Sequence, residues 1–515
     1  MKVFLAVAAK ARGAAERATQ TAMEAIEAAF PVPQDTVTRQ EWHAPGVALL
    51  AWSNEPGRPL VGSAGLSGYL ADPADLPEAL AGRLDLGGCY SVFAATPQGV
   101  TAVTGPTGAD PVYYAETPEL HVVGSRALLV HLVATGGRVE LDPLALQAMV
   151  GPGYFLSDET PYRGVHALPP ATRLTTEGPL RRLEEVPLPG RGDVASALVA
   201  AVEPLRAVAE PVRLTLTGGR DSRLVAVLLK TAGVPFVAVT YGADDHPDVV
   251  LARQVARRLG VEHQVVPPKP AAAQDPRERT LEVLRACEGM TSAYENIARY
   301  APFQPRPSLG GQGGEILRGG FLAGLGTLDG DAVARRLRSM FLGHEKLLVP
   351  EAAEHARTLA KPWLERATPD TLDHLYLRYR VGRWHAASRA GAQRGGLRVQ
   401  PFLDHRVVAA ALALDPVWRR SERLVHELLR QYAPGLAGLP LEGRPWRFEA
   451  EATKAKAVPK PPDWRAEAAA GLKPALPRSP GLARIVRLDR AALDAAKPAP
   501  VWNLYTVASL LDVVH

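Results

Sequence analysis

One stretch of eleven residues, 214–224, constrains the fold of this chain most strongly. It reads Leu-Thr-Leu-Thr-Gly-Gly-Arg-Asp-Ser-Arg-Leu. The apolar run that leads into it ends in a Gly-Gly turn and is followed by an apolar-periodic segment, which predicts a strand, a tight loop and a helix. Such a loop can bind a phosphate chain, because glycine lets backbone N–H groups approach an anion and the start of a helix adds unpaired N–H groups.

Asp221 is the unexpected member of this loop, because a carboxylate repels phosphates unless a cation such as Mg²⁺ lies between them. No Gly-Lys-Ser/Thr follows, so the loop is not a Walker A motif. It resembles the pyrophosphate loop of the ATP pyrophosphatases, Ser-Gly-Gly-x-Asp-Ser, with Thr217 in place of the first Ser. Those enzymes cleave ATP between the α- and β-phosphates and adenylate a carboxyl or carbonyl oxygen. Taken alone, the stretch is also compatible with an ordinary strand–turn–helix in which Asp221 or Ser222 caps the helix.

The composition limits what else the chain can be. Its 515 residues predict two or three domains, and 47% hydrophobic and 22% charged residues are typical of a soluble globular protein. The net charge of +5, without a long Lys/Arg run, does not indicate nucleic-acid binding. Cys89 and Cys287 lie far apart and form no CxxC motif, which indicates a reduced compartment and no structural zinc.

We expect no membrane association and a cytoplasmic location. No apolar run approaches the length of a membrane span. The first apolar residues could pass for a short signal peptide, but the run ends at Lys10, so we interpret it as a buried first strand.

The N-terminal half, residues 1–187, is predicted to consist of short strands and turns with few helices. Residues 112–114 and 120–123 flank Glu-Thr-Pro and predict a hairpin. Helices are predicted across residues 19–30 and from an Asp142 N-cap to Val150.

Four segments of this half resemble the amidotransferase domain of asparagine synthetases, in order and in spacing. They are Leu-Gly-Gly-Cys-Tyr-Ser-Val-Phe (86–93), Thr-Gly-Pro-Thr-Gly-Ala-Asp-Pro-Val-Tyr-Tyr (104–114), Gly-Ser-Arg (124–126) and the stretch 153–170 with Thr-Pro-Tyr-Arg-Gly-Val-His-Ala-Leu-Pro-Pro. The resemblance implies an Ntn-hydrolase-like αββα sandwich of antiparallel sheets flanked by helices. Active members hydrolyse glutamine with an N-terminal cysteine.

Two departures predict a degenerate glutaminase. Residues 1–3 read Met-Lys-Val, and Lys2 cannot replace the thiol that attacks the glutamine amide. The family's glutamine-holding Asn-Gly-Glu segment is Ser-Gly-Tyr at 67–69. We therefore expect no glutaminase activity and a domain that is kept for structure or for binding something else.

The C-terminal half, residues 188–515, is predicted to begin after a mixed-charge linker. A helix is expected from Val194 to about Ala209, with a kink at Pro204. Strands at 235–241 and 260–266 flank a helix at 248–259, and this alternation predicts a doubly wound parallel sheet with ligands at the carboxyl ends of its strands. We thus expect a two-domain α/β protein whose C-terminal domain is of the ATP-pyrophosphatase type with added helices.

A second Gly-rich motif, residues 309–320, reads Leu-Gly-Gly-Gln-Gly-Gly-Glu-Ile-Leu-Arg-Gly-Gly. It resembles the synthetase segment Gly-Glu-Gly-Ala-Asp-Glu-Leu-Phe-Gly-Gly. Glu315 falls on the family's Asp, which binds Mg²⁺ together with the loop Asp, here Asp221. Gln312 falls where asparagine synthetases have Glu and the β-lactam-forming relatives have Tyr. The alternative is a Gly-rich surface loop. The resemblance implies that the ATP-binding residues are Leu216, Thr217, Gly218, Gly219, Asp221, Ser222, Val239, Tyr241, Gly242, Gly311 and Gly313.

A third motif, Arg-Val-Gln-Pro-Phe-Leu-Asp-His-Arg-Val-Val at 398–408, is similar to the synthetases' Arg-Val-Pro-Phe-Leu-Asp segment. Ungapped counting upstream from it puts His385 where the β-lactam-forming relatives carry a catalytic Glu. A histidine can deprotonate an ammonium before it attacks. The alternative for His385, next to Trp384, is a packed core residue.

Those relatives also carry a Lys after Arg-Pro that stabilises charge during amide formation. Here residues 444–447 read Arg-Pro-Trp-Arg, and Lys454 and Lys456 follow. Lys454 and Arg447 are the candidates for a cation at the tetrahedral oxyanion, although each is also compatible with a solvated surface charge.

The three motifs, in family order, predict an enzyme that uses ATP and Mg²⁺ to adenylate a carboxylate and joins it to an amine other than glutamine-derived ammonia. Two branches with an inactive glutaminase domain fit: the small β-lactam synthetases and the lasso-peptide cyclases, which join the peptide's N-terminal amine to an Asp or Glu side chain. The loop at 217–223, Gly-Gln-Gly-Gly-Glu at 311–315 and the aromatic, basic segment 444–449 favour the second.

This interpretation implies a precursor or core peptide as substrate, and a leader-binding protein and a leader peptidase as partners. The arginines that could contact the peptide are Arg220, Arg223, Arg318 and Arg380, each of which could also form a surface ion pair. The alternatives are a small-molecule intramolecular amide synthetase and a catalytically inactive scaffold.

Overall fold

A computed structural model of the chain describes residues 1–187, 192–267, 275–295, 297, 300–442, 445–449 and 464–513. The expected domain boundary after residue 187 borders the gap at 188–191, and Lys454 lies outside the described residues. Among the described helices, none combines the length and the apolar character needed to cross a membrane.

Two antiparallel sheets form the N-terminal half. Their strands are β1 (Lys2–Ala9), β2 (Thr38–Ala44), β3 (Val47–Ser53), β4 (Leu60–Val61), β5 (Ala64–Leu70), β6 (Gly88–Thr96), β7 (Gly99–Thr104), β8 (Tyr113–Glu116), β9 (Leu120–Gly124), β10 (Val165–Ala167), β11 (Thr172–Glu177) and β12 (Leu180–Glu185). The strand orders are β10-β8-β9-β1-β3-β2 and β12-β11-β7-β6-β5-β4.

β1 is buried on both of its faces. Phe4 and Ala6 pack between the two sheets, against residues such as Phe93, whereas Val3 and Leu5 point to the core under the helices. A strand covered on both faces reads as a continuous apolar run, which explains the apolar first residues of the sequence.

The helices of this half are α1 (Ala14–Ala29), α2 (Leu76–Leu80), α3 (Ala127–Ala134) and α4 (Pro143–Leu146). The helix predicted to start after Asp142 does so, and the Asp142 carboxylate accepts hydrogen bonds from the N–H groups of Leu144 and Ala145. It is shorter than predicted, because α4 passes into a 3-10 turn, Gln147–Met149.

A five-stranded parallel sheet forms the centre of the C-terminal half, as the alternation of strands and helices predicts. Its strands are β13 (Val212–Thr215), β14 (Phe236–Tyr241), β15 (His263–Val266), β16 (Gln304–Leu309) and β17 (Gly396–Arg398). The order is β15-β14-β13-β16-β17. The chain leaves β13 in one direction and later returns to its other side, so the topological switch point, where ligands bind in such sheets, lies between β13 and β16.

Helices surround this sheet. They are α5 (Val194–Val202), α6 (Arg220–Thr231), α7 (Pro247–Leu259), α8 (Pro276–Cys287), α9 (Gly330–Leu342), α10 (Pro350–Leu364), α11 (Pro369–Leu375), α12 (Ala386–Gln393), α13 (His405–Leu412), α14 (Pro416–Arg420), α15 (Arg423–Tyr432), α16 (Pro434–Ala437), α17 (Trp464–Leu472), α18 (Pro480–Ala483), α19 (Arg490–Ala495) and α20 (Pro498–Val513). A π-helix, Tyr376–His385, links α11 to α12. The helix expected to reach Ala209 ends at Val202, and a 3-10 turn continues it through Pro204, whose missing N–H interrupts the helical hydrogen bonds.

Buried charges join the two halves. Arg389 Nη1 lies 2.7 Å from Asp110 Oδ2, and both side chains are almost fully buried. Arg383 contacts the Asp158 carboxylate at 2.7 Å. A shared hydrophobic core adds to these contacts, since α1 and α3 pack in one cluster with α20.

Candidate active site

A cavity of about 800 Å³ opens at the carboxyl ends of β13, β16 and β17. It therefore lies at the switch point of the parallel sheet, and its volume is within the range of small-molecule sites. The loop between β13 and α6 forms one side of it, the second Gly-rich loop another, and residues around β17 the far wall.

The first loop is held open by its own hydrogen bonds. The Thr217 N–H donates to Ser222 Oγ at 3.1 Å, and the Gly219 N–H donates to Thr217 Oγ1 at 3.2 Å. α6 begins at Arg220, and its N-cap, Gly219, provides no side-chain cap. The unpaired N–H groups and the positive dipole end of α6 thus face the cavity, which is the arrangement that binds phosphates.

The second loop packs its backbone directly on the start of α6. A Cβ at Gly311 would lie 2.7 Å from the Ser222 nitrogen, and one at Gly314 would lie 2.5 Å from Asp221 Cγ. Only glycine fits such an approach. The contact brings Glu315 beside Asp221, so that both carboxylates line the cavity.

Asp221 already has a cationic partner. Arg318 donates from Nε to Oδ1 at 2.9 Å and from Nη2 to Oδ2 at 2.6 Å. Burial raises the pKa of the Asp221 carboxyl group. The Arg318 guanidinium lowers this pKa, and the neighbouring Glu315 carboxylate raises it further. Arg318, which the sequence indicated as a peptide contact, therefore neutralises a predicted Mg²⁺ ligand.

The residues present suit Mg²⁺ when ATP supplies further oxygens. Within the described ranges, no group of three or more His, Cys, Asp or Glu side chains could hold a metal. Mg²⁺ at nucleotides, however, is typically bound by one or two carboxylates together with phosphates and water. Asp221 and Glu315 provide two such carboxylates, and Asp221 would then be shared between Mg²⁺ and Arg318.

The predicted ATP-binding residues divide into two groups. Lining the cavity are Thr217, Gly219, Asp221, Ser222 and Gly311. Away from its lining are Leu216, Gly218, Val239, Tyr241, Gly242 and Gly313. The Leu216 carbonyl accepts a hydrogen bond from Thr240 Oγ1 at 2.7 Å, and the Gly218 N–H donates to Asp248 Oδ1 at 2.6 Å. The Leu216 carbonyl and the Gly218 N–H are therefore already hydrogen-bonded within the protein.

His385 lies behind the far wall of the cavity. Its Nε2 is 2.7 Å from Gln400 Nε2, and the same Gln400 amide donates to Gln312 Oε1 at 3.2 Å. Gln312 and Gln400 line the cavity, whereas His385 does not. Burial and the nearby Arg389 lower the pKa of His385 to about 4, so the ring is neutral at pH 7 and accepts from Gln400.

Sequence reasoning missed Gln400. It is the additional residue in Arg-Val-Gln-Pro-Phe, where the synthetases have Arg-Val-Pro-Phe, and this insertion was the available signal. Its amide connects His385 to Gln312, the two residues that the resemblance put at the reacting centre.

The arginines of the site have different surroundings. Arg447 Nη1 donates to the carbonyls of Arg318 at 2.9 Å and Arg420 at 3.1 Å, so it braces the segment that holds Asp221. Arg223 is fully buried and donates to backbone carbonyls, including that of Pro440. It is therefore neither the peptide contact nor the surface ion pair that the sequence had suggested.

Arg220 and Arg380 stack on aromatic rings. The Arg220 guanidinium lies 5.1 Å from the Trp446 ring centroid and also pairs with Glu422 at 3.4 Å. Arg380 lies 3.4 Å from the centroid of Trp384. Arg220 and Trp384 line the cavity, so both stacks border the site.

A cavity with an uncapped helix start and two adjacent carboxylates has the features that suit a nucleotide and its metal ion. Residues 193–442 match the family model of asparagine synthase. Members of that family form amide bonds with ATP and Mg²⁺. No curated protein matches the chain.

Among solved structures, the chain is similar to the glutamine phosphoribosylpyrophosphate amidotransferase from B. subtilis complexed with ADP and GMP. The identity is 12%, 62% of this chain and 77% of the other are covered, and the TM-score is 0.22. A second structure, described as the allosteric regulatory enzyme of purine biosynthesis, has 11% identity, coverage of 66% and 78%, and a TM-score of 0.24. Likeness at this level says nothing about the reaction of this chain.

Proposed function

We propose that the protein forms the macrolactam of a lasso peptide. In this reaction ATP adenylates an Asp or Glu side-chain carboxylate of the core peptide, pyrophosphate leaves, and the peptide's N-terminal amine displaces AMP to form an isopeptide bond. The observation that carries the proposal is the meeting of Asp221, Glu315 and the uncapped start of α6 at one cavity.

Each part of the cavity has a role in this chemistry. The N–H groups at the start of α6 bind the phosphates that leave as pyrophosphate. Mg²⁺, held by Asp221 and Glu315, would neutralise phosphate charge. Gln312 lines the cavity, and Gln400, which is bonded to the neutral His385, fixes the orientation of the Gln312 amide.

The N-terminal half supports an amine source other than glutamine. The chain has two cysteines, Cys89 and Cys287, and burial raises the pKa of both thiols to about 12, so neither is a nucleophilic thiolate at neutral pH. Cavities beside Lys2 measure only about 20 Å³ and 10 Å³. Since one water needs about 10–15 Å³, neither has room for glutamine.

Sequence features favour a peptide substrate. The loop at 217–223 and the Gly-Gln-Gly-Gly-Glu segment resemble those of lasso-peptide cyclases. As in those enzymes, a leader-binding protein and a leader peptidase would supply the leader-free core peptide. A small-molecule intramolecular amide synthetase would use the same ATP site and differ only in its acceptor.

The direct test is mass spectrometry of the purified protein incubated with ATP, Mg²⁺ and the leader-free core peptide encoded beside its gene. We expect the peptide to lose one water while AMP and pyrophosphate form. AMP formation only with small amino-acid analogues would assign the small-molecule reaction instead. No AMP with either substrate class would reject a ligase and favour a scaffold.

The metal assignment has its own test. Asp221→Ala should abolish pyrophosphate formation while the protein stays folded, because it removes one of two carboxylates for Mg²⁺. Asp373→Ala is the matched control, since Asp373 is also buried and paired with an arginine, Arg419, but lies outside the cavity lining. Turnover that is unchanged in Asp221→Ala would contradict the assignment.

A further inference from the structure

Glu422 combines an unusual backbone conformation with deep burial. Its φ is 68°, in the left-handed region that residues other than glycine rarely adopt, and the residue is 1% exposed. It is the N-cap of α15, where a negative charge is favourable, yet its side chain makes no capping hydrogen bond to that helix. Backbone strain of this kind is concentrated at functional sites, so the direction in which the Glu422 carboxylate points is informative.

The Glu422 carboxylate contacts three arginines. Arg220 Nη2 lies 3.4 Å from Oε2, Arg318 Nη1 lies 3.3 Å from Oε1, and Arg447 Nη2 lies 3.4 Å from Oε1. The Arg447 N–H also donates a hydrogen bond to Oε2 at 3.1 Å. One buried carboxylate thus holds together the start of α6, the second Gly-rich loop and the segment 445–449.

Two of these arginines act at the cavity. Arg220 lines it and is the first residue of α6, beside the N–H groups that suit a phosphate. Arg318 holds the Asp221 carboxylate with two hydrogen bonds. Glu422 itself lies outside the cavity lining, so it influences a bound ligand through these two side chains and through its charge.

The charges of this cluster balance when Glu422 is included. The three guanidinium groups face the two cavity carboxylates, Asp221 and Glu315, and the Glu422 carboxylate supplies the third negative charge. Burial lowers the pKa of Arg220, and the Glu422 carboxylate is the strongest influence that raises it. Without Glu422 the cluster would carry one excess positive charge beside the start of α6, where little water is present to screen it.

We propose that Glu422 is a positioning residue of the phosphate site: it orients Arg220 and Arg318 and balances their charge, so that the site binds ATP without retaining pyrophosphate. The proposal rests on the proposed function, because it concerns the ATP site used there. The 1:1 magnesium complexes of ATP and of pyrophosphate are anions, so an excess positive charge would strengthen the binding of both. Glu422 therefore determines how readily pyrophosphate leaves.

The test measures the affinity of the protein for the 1:1 magnesium complexes of ATP and of pyrophosphate by isothermal titration calorimetry. Glu422→Gln keeps the size of the side chain and one acceptor oxygen but removes the charge. It should bind both complexes about tenfold more tightly than the wild-type protein, which is the scale of one unit charge acting over roughly 10 Å at an effective dielectric constant of about 20. Damage to the fold would change the affinity in the opposite direction.

Glu288→Gln is the matched control. Glu288 is also a buried glutamate with a positive φ, of 53°, and it pairs with Arg126 outside the cavity lining. Both variants should lose stability in urea unfolding, because each leaves a buried guanidinium without its charged partner. The affinity of Glu288→Gln for both complexes should nevertheless equal that of the wild-type protein.

Arg220→Gln tests the charge balance from the other side. It removes one positive charge and should bind both complexes about tenfold more weakly than the wild-type protein. The double variant, Arg220→Gln with Glu422→Gln, is balanced again and should bind about tenfold more tightly than Arg220→Gln alone. This comparison isolates the effect of Glu422 even where the single variant Glu422→Gln does not fold.

The proposal is overturned if Glu422→Gln binds the complexes with unchanged or weaker affinity, if Glu288→Gln strengthens binding equally, or if the double variant binds no more tightly than Arg220→Gln. Failure of the proposed function has a separate signature. The expected affinities without lactam formation reject the proposed function alone, whereas lactam formation with an affinity that Glu422→Gln leaves unchanged rejects the positioning role alone. A wild-type protein that binds neither complex rejects both.

Discussion

Arg318 and Mg²⁺ compete for one carboxylate, and the variant Arg318→Met tests this competition. Methionine keeps the length and the apolar stem of the side chain but removes the guanidinium that makes two hydrogen bonds to Asp221. Removal of one partner from a buried ion pair costs about 3–5 kcal/mol. We expect a loss near the lower end, about 3 kcal/mol in the free energy of unfolding, because the second partner of Arg318, Glu422, retains its pairs with Arg220 and Arg447.

The same variant should gain a response to Mg²⁺, since Asp221 loses its bonded counter-cation and becomes a better metal ligand. If the variant binds Mg²⁺ with a Kd of about 1 mM, then 10 mM Mg²⁺ stabilises it by about 1.4 kcal/mol, following RT ln(1 + [L]/Kd). The wild-type protein, whose Asp221 is occupied by Arg318, should respond less in the absence of ATP.

Urea unfolding with and without 10 mM MgCl₂ measures both effects. Arg419→Met is the matched control, because Arg419 makes a more deeply buried pair with Asp373 outside the cavity lining. It should lose at least as much stability and gain no response to Mg²⁺. Equal Mg²⁺ responses in the two variants, or a loss below about 1 kcal/mol for Arg318→Met, would refute the reasoning.

Two further predictions follow from close packing and from burial. Gly314→Ala should reduce pyrophosphate formation and lower stability by about 1–3 kcal/mol, because its Cβ would lie 2.5 Å from Asp221 Cγ. The control is Gly435→Ala, whose Cβ would meet nothing within 4 Å and which should leave both quantities unchanged. Equal activity of the two variants in a pyrophosphate-release assay would contradict this prediction. Burial lowers the pKa of His405 to about 3, and its Nε2 accepts from the Tyr90 N–H, so the folded state excludes a proton that the unfolded state takes up near pH 6.5. Stability from His405 is therefore complete well above pH 6.5 and decreases as the pH falls toward 3. Between pH 6.5 and 4.5 the wild-type protein should lose about 2 kcal/mol more than His405→Gln in urea titrations; parallel pH profiles would exclude this role.

Local patterns in the sequence were sufficient to predict the elements that build the site. The Gly-Gly turn at 218–219 and the apolar periodicity after it predicted β13, the loop and α6. Asp142 and Pro143 predicted the start of a helix, because capping and proline placement act within one turn. The alternation of strands with helices was sufficient to predict the parallel sheet.

Contacts between distant segments could not be predicted in this way. Asp221 and Arg318 are 97 positions apart, so their ion pair depends on how two loops dock, which no local propensity describes. His385 was predicted from a count along the chain, but its burial behind Gln400 follows from the packing of the π-helix against the loop after β17.

The buried ion pairs between the halves bear on how such a protein can evolve. Arg389 and Arg383 of the C-terminal half rely for neutralisation on Asp110 and Asp158 of the N-terminal half. A deletion of the N-terminal half would leave both guanidinium groups without a carboxylate partner and would expose the apolar face of α20 to solvent. A gene shortened to the second half alone would therefore encode a protein that misfolds or aggregates, so the N-terminal half is structurally obligatory whatever chemistry it carries out.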